Sequence, residues 1–284
     1  MNENKTNINW YPGHMAKTKR QIMEKIDLVD VVILVVDARI PKSSFIPDIN
    51  DFTKNKEKII FMSKYDLCDK EETNNWKQYY ENEGYRVILS DINSNIIKKE
   101  VINAINESMV SVNNKRKERG LLPKKARVMI VGVSNVGKST LINKLVNKKA
   151  SAVGNLPGVT KSLSTIKINE DIDLIDTPGV LWPKLENEEV ALNLASMTII
   201  KEEVLPLDKV AIYILDKLNK KYKGILKSVF GLSDFDKNDI ENEYIKISKY
   251  RYIPLLDGEA DYDKINLLVV NSIKNETIKG ITFD

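Results

Sequence analysis

The sequence predicts an α/β fold: a mostly parallel sheet covered by helices over residues 1–182, then a smaller all-helical domain over residues 183–284. Three observations predict it. Short β-branched apolar runs alternate with stretches of helical period across the first half. A glycine-bearing turn joins one such run directly to the helical stretch after it. From residue 188 onward the period stays helical, with no strand-like run.

The apolar runs at 31–36, 59–62, 87–89 and 128–131 read as buried strands. Helical spacing fills 17–28, 71–82 and 96–108 between them, and 140–146 after the last. Strands that alternate with helices imply parallel pairing with both sheet faces covered. Residues 164–168 and 172–175 read as a hairpin around Asn169–Asp171. The basic stretch 113–127, containing Gly120 and Pro123, reads as a join between two strand–helix halves. Beyond Trp182-Pro183, helices are expected over 190–200, 209–221, 222–230, 239–249 and 262–275.

Composition limits the classes of function. Apolar residues make up 42% of the 284 and charged residues 30%, the balance of a soluble globular chain. The single cysteine, Cys68, excludes an internal disulfide framework and fits a reducing cytoplasm. No apolar run is long enough for a membrane span, and the N-terminus has no secretory or transit pattern. The net charge is +4, but residues 183–284 hold 15 Lys/Arg against 18 Asp/Glu. The excess lies earlier, largely in Lys115, Arg116, Lys117, Arg119, Lys124, Lys125 and Arg127. Such a run either attracts phosphate backbones or is a solvated linker.

The strongest motif is Gly132-Val133-Ser134-Asn135-Val136-Gly137-Lys138-Ser139-Thr140. It fits G-x-x-x-x-G-K-[ST] and sits between an expected strand and an expected helix, the context that gives the pattern meaning. Glycines let main-chain N–H groups converge on a phosphate, and the following helix adds the positive end of its dipole. Lys138 is expected to neutralise the β- and γ-phosphates, and the Ser139 hydroxyl to bind Mg²⁺. Asp176-Thr177-Pro178-Gly179 follows the strand run 172–175. Asp176 there would reach Mg²⁺ through water, and the Gly179 N–H would sense the γ-phosphate. Thr160, in Pro157-Gly158-Val159-Thr160, is the candidate switch threonine and a further Mg²⁺ ligand.

Guanine offers N1–H and an exocyclic amine on one edge, and a carboxylate that accepts both selects it over adenine. Ser63-Lys64-Tyr65-Asp66 follows the run 59–62 and reads as a variant of the N-K-x-D element. Asp66 is the candidate guanine reader, the Lys64 stem would cover the base, and Ser63 replaces the usual asparagine. Ser90 and Asp91, after the run 87–89, would supply the backbone that packs on the base. Small GTPases order these elements as phosphate loop, switch threonine, D-x-x-G and N-K-x-D. Here S-K-Y-D precedes the phosphate loop, so the motif order is circularly permuted, which closely spaced domain termini permit. The D-x-x-G strand then leads into the helical domain, a covalent route from the γ-phosphate to that domain.

With these elements in place, the chain resembles the circularly permuted bacterial GTPases of the YlqF, or ribosome biogenesis GTPase A, family. The resemblance runs nearly end to end. It is carried by Trp10-Tyr-Pro-Gly-His14-Met15-Ala-Lys17, by Asp37-Ala-Arg39-Ile-Pro41 and by Asp176-Thr-Pro-Gly-Val-Leu-Trp-Pro183. It implies a P-loop GTPase domain, hydrolysis of GTP to GDP, and a role in late assembly of the large (50S) ribosomal subunit. It further implies turnover stimulated by that particle and a helical domain that contacts ribosomal RNA, with no DNA or membrane partner. Val180 occupies the position after D-x-x-G and cannot orient water through its side chain. The resemblance assigns a catalytic role to His14, the only histidine, beside that of Lys138. Asn135 resembles the asparagine that ligates K⁺ in potassium-activated GTPases, where the cation supplies charge to the transition state. The alternatives are a regulatory switch that binds a protein partner and an enzyme that transfers phosphate to a small acceptor. Any RNA contact on the acidic helical domain should come from a local face; Lys220, Lys221, Lys223 and Lys227 are candidates, and a solvated helix face is the plain alternative.

Overall fold

The computed structural model describes residues 13–53, 56–91, 94–146, 165–175, 188–200 and 205–284. They fall into two compact units. One is drawn from Tyr11–Asp66 and Glu71–Lys184, the other from Leu185–Asp284 together with Leu67–Lys70.

The first unit runs α1 (Gly13–Ile26), β1 (Val31–Asp37), α2 (Ile49–Phe52), β2 (Glu57–Ser63), α3 (Lys70–Asn82), β3 (Arg86–Leu89), α4 (Ile97–Glu118), β4 (Ala126–Gly132), α5 (Lys138–Leu145), β5 (Thr165–Lys167) and β6 (Ile172–Ile175). Among the described residues, its six strands lie in the order β3-β2-β1-β4-β6-β5. Every pairing is parallel except the β5–β6 hairpin. β1 is central: Leu34 sits beside Ile60 of β2 and Val131 of β4. All seven of its residues are buried, which is why its sequence is a continuous apolar run rather than an alternating one. Each such Val, Ile or Leu contributes roughly 1.5–3 kcal/mol by leaving water. Because β1, β2, β3, β4 and β6 are parallel, their carboxyl ends share one edge of the sheet. The motifs found after each strand therefore converge there, although they are far apart in sequence. The order of the strands reverses between β1 and β4, and open α/β sheets bind ligands at such a crevice.

Two boundaries differ from the sequence expectation. α1 begins at Gly13 rather than near residue 17, so the backbone of His14 lies in its first turn. α4 extends to Glu118 and absorbs the first part of the expected join, residues 113–118. Lys115, Arg116 and Lys117 lie in its last turn, where cations suit the negative end of the helix dipole. The rest of the basic stretch is partly neutralised. Lys124 pairs with Asp30, and Lys125 lies 2.8 Å from Asp173. The Arg127 N–H also donates to Asp30 at 3.0 Å. These contacts anchor the join at the edge of the sheet opposite the motifs.

The second unit contains α6 (Glu188–Ser196), α7 (Leu207–Lys221), α8 (Lys223–Phe230), α9 (Ile240–Tyr250) and α10 (Tyr262–Lys274), the helices read from the sequence. α7 packs on α10, and Ile214, Leu215 and Leu218 of the one and Ile265, Val269 and Ile273 of the other are all buried. The chain end is part of this core, since Ile281 and Phe283 are fully buried. Leu67–Lys70 joins the unit through that end. The Gly280 N–H donates to the Leu67 carbonyl at 2.8 Å, and the Tyr222 hydroxyl lies 3.2 Å from the Asp69 carboxylate. The residues directly after Asp66 therefore belong to the helical unit. No helix among the described residues is long and apolar enough to cross a membrane.

Candidate nucleotide-binding site

The phosphate loop leaves β4 at Gly132 and enters α5 at Lys138. Gly132 is required by its neighbour: a Cβ there would lie 2.5 Å from the Val35 carbonyl oxygen of β1. The turn passes through Ser134 and Asn135, the latter left-handed at φ 54°. Val136 then buries its side chain completely, and Gly137 caps α5. Ser139 and Thr140 are exposed in the first helical turn, whose N–H groups have no carbonyl partner within the helix. The Lys138 ammonium donates to the Val133 carbonyl at the start of the loop. Burial pushes the Lys138 pKa down to about 8. An anion seated in the loop would reverse that shift by favouring the charged form.

β2 delivers Ser63-Lys64-Tyr65-Asp66, the candidate base-recognition element, to the same edge. The Ser63 hydroxyl lies 2.6 Å from the Val136 carbonyl and 3.0 Å from the Val36 carbonyl. Its one proton is shared between them, so serine in place of asparagine still ties this element to the phosphate loop. Lys64 adopts a left-handed backbone at φ 57°, which turns the chain toward exposed Asp66. Ser90 is buried at the end of β3, where its N–H lies 3.5 Å from the Met62 carbonyl. Asp91 follows, half-buried.

A buried ion cluster supports these positions. Asp37, fully buried at the end of β1, accepts from the Arg39 Nε at 3.0 Å and Nη2 at 2.9 Å. It also accepts from the Arg39 N–H at 3.0 Å and the Lys64 ammonium at 2.8 Å. Burial alone would raise the Asp37 pKa. The neighbouring Arg39 and Lys64 cations outweigh it and hold the carboxyl well below the usual carboxylate range. The loop is fixed from behind as well: Thr73 Oγ1 donates to the Ala38 carbonyl at 3.0 Å and the Tyr80 hydroxyl to the Pro41 carbonyl at 3.1 Å. The sequence marked Asp37-Ala-Arg39-Ile-Pro41 only as a signature. The structure makes Asp37 the anchor of Lys64, a role signalled only by an acid closing an otherwise apolar strand.

Ser63, Lys64, Asp66, Ser90 and the loop residues 134–140 thus share one edge of the sheet, and direct hydrogen bonds join Ser63 to Val136 and Lys64 to Asp37. Thr160, Asp176 and Gly179 lie outside the described residues. Of His14, the backbone alone is described. Among the described residues, no group of three or more His, Cys, Asp or Glu side chains could hold a metal ion unaided. The oxygen donor exposed at the loop, Ser139, suits a Mg²⁺ that arrives with a nucleotide's phosphates rather than one caged by protein.

Comparison with known proteins agrees with this geometry. A family model described as "50S ribosome-binding GTPase" matches residues 127–253, beginning at β4. Ribosome biogenesis GTPase A of Bacillus licheniformis is 38% identical over 98% of this chain and 98% of its own length. The protein of the same name from Priestia megaterium is also 38% identical, over 98% of this chain and 96% of its own. The solved structure of GNP-bound YlqF from T. maritima superposes with a TM-score of 0.65 at 23% identity, covering 94% of this chain and 97% of that one. The fold is thus a GTPase domain in permuted motif order, and the chain belongs to the ribosome biogenesis GTPase A (YlqF) family of GTPases.

Proposed function

We propose that this chain hydrolyses GTP to GDP as an assembly factor for the large ribosomal subunit, and that the subunit precursor and its ribosomal RNA stimulate turnover. One observation carries the nucleotide part of the reading: Ser63 of the base-recognition element is hydrogen-bonded to Val136 of the phosphate loop. A base reader and a triphosphate cradle are thereby held in fixed register, which is what recognition of a whole nucleotide needs.

In this reading the main-chain amides of residues 134–139 hold the phosphates and Lys138 neutralises the charge that develops on them. Asp66 selects guanine and the Lys64 stem covers it, with the ammonium held by Asp37. Ser90 and Asp91 close the base pocket. Mg²⁺, when bound, would neutralise the phosphate oxygens; Ser139 would hold it, with Thr160 and, through water, Asp176 as its other protein partners. Gly179 would report the γ-phosphate. Val180 has no polar side chain to orient water, so His14 takes that role. Asn135 would hold a K⁺ beside the phosphates. The setting is cytoplasmic.

The test is GTP turnover with and without purified large-subunit precursor. Stimulation by the particle that disappears in His14→Ala, with GTP affinity near normal, is the expected result. Turnover that ignores the particle but responds to a protein fraction would replace this reading with that of a protein-binding switch.

A further inference from the structure

We propose that a cleft at the ends of α8 and α9 binds an unpaired RNA nucleotide, with Tyr252 stacking on the base and Lys249 and Arg251 meeting the flanking phosphates. The cleft has a volume of about 850 Å³ and is lined by Ser228, Lys246, Lys249, Tyr250, Arg251 and Tyr252. Three of its six lining residues are cations and two are aromatic.

Tyr252 is the unusual member. α9 ends in a Schellman closure, in which the Ile253 N–H donates to the Ser248 carbonyl at 2.9 Å. The residue inside that closure must be left-handed, and glycine is the usual choice. α8 follows the rule with Gly231 at φ 75°, whereas α6 and α9 place Thr198 and Tyr252 there, both at φ 56°. The tyrosine side chain is 93% exposed, so packing within the protein does not compensate the conformational cost. Non-glycine residues held in this region concentrate where a ligand is met.

The surroundings hold the ring's neighbours still. Tyr250 lies against Gly231, where even a Cβ would come within 2.4 Å of the ring. Its hydroxyl donates to the Ser228 carbonyl at 3.0 Å. Arg251 Nη1 donates to the Val229 carbonyl at 3.3 Å, which leaves its other donors for a phosphate. Lys246 is 2.7 Å from Glu243, but Lys249 forms no ion pair with a described residue. Cations that alternate with an exposed ring match the alternation of phosphate and base along a single strand. Duplex RNA hides its base faces and would use the cations alone. Lys220 of α7 and Lys223 of α8 fit less well, because Lys220 lies 2.6 Å from Asp216 and Lys223 lies 3.2 Å from Asp234.

The proposal deepens the ribosome-assembly reading and rests on it for the source of the RNA. It is tested with the full chain and a fluorescein-labelled single-stranded RNA decamer, the same decamer in a duplex, and a polyglutamate peptide. Wild type should prefer the single strand. Tyr252→Gly should lose roughly 5- to 150-fold in affinity, the range for one base stacked on an aromatic ring, while its thermal midpoint rises because glycine relieves the left-handed backbone. Tyr252→Phe should bind as wild type does. Lys249→Ala should lower the slope of log affinity against log salt by about 0.7, one single-strand phosphate contact. GTP affinity should stay constant throughout. Equal binding by Tyr252→Gly, equal affinity for the duplex, or preference for polyglutamate overturns the proposal. Failure to co-sediment with large-subunit precursor, alongside Tyr252-dependent binding of the decamer, removes the ribosomal reading and leaves the cleft standing.

Discussion

Replacing Asp37 by asparagine tests whether the buried ion cluster supports the site. Asp37 is the anion that faces both Arg39 and Lys64; Arg39 is 4% exposed and Asp37 fully buried. Four charge-assisted hydrogen bonds converge on this one carboxylate, three from Arg39 and one from Lys64. Removing the charge takes from the buried Arg39 guanidinium the carboxylate that accepts its Nε and Nη2 hydrogens, and breaking a buried pair this way costs about 3–5 kcal/mol. That is a large part of the roughly 5–15 kcal/mol by which domains are stable. The assay is urea unfolding of Asp37→Asn and wild type, followed as pH is lowered. The Asp37 pKa is depressed on folding, so its contribution is present above the ordinary carboxylate value of 3.8 and is lost as pH falls below it. Wild type should therefore lose stability through this acid range more steeply than the variant. Lys64, freed from its anchor, should also hold guanine less well, so GTP affinity should fall in any variant protein that remains folded. A destabilisation below about 1 kcal/mol would refute the reasoning, because it would mean that Arg39 finds other compensation.

Three further outcomes follow from the same geometry. Nucleotide binding should take up protons near pH 8, because a triphosphate raises the Lys138 pKa that burial lowers to about 8; titration calorimetry in buffers of differing ionisation enthalpy reads this directly, and GTP affinity should decline as pH rises past that value. Ser63→Ala removes the hydroxyl between Val136 and Val36 and should weaken GTP binding roughly 5- to 30-fold, on the order of 1–2 kcal/mol for the carbonyls left unpaired. Exchange of KCl for NaCl should slow turnover of wild type and leave Asn135→Ala unaffected, as measured by phosphate release.

Much of this architecture is legible in the sequence because its signals are local. The central strands are β-branched runs buried on both faces, and the phosphate loop carries its own context of strand, turn and helix. The S-K-Y-D element is legible for the same reason, since it closes the apolar run of β2. The end of α4 is misread because Gly120 and Pro123 mark a join, whereas the Lys and Arg residues before them are good helix formers that stabilise a C-terminal turn. Features that depend on convergence are not legible. Nothing near Asp37 in sequence shows that Lys64, 27 residues away, turns back to it. The membership of Leu67–Lys70 in the helical unit depends on the Leu67 carbonyl meeting the N–H of Gly280, near the far end of the chain. The cleft at Tyr252 is hidden for a different reason: a tyrosine after a helix reads as an ordinary boundary residue until its left-handed backbone and exposure are known.

The arrangement of a carboxylate reader and an amide cradle on one sheet edge makes a direct claim about nucleotide choice. Calorimetric titration of the full chain with magnesium and either GTP or ATP, repeated on Asp66→Ala, tests it. GTP should bind to wild type with ATP at least about a hundredfold weaker, and Asp66→Ala should lose that preference while still holding the triphosphate through residues 132–139. Equal binding of the two nucleotides by wild type, or a preference that survives in Asp66→Ala, would contradict the account.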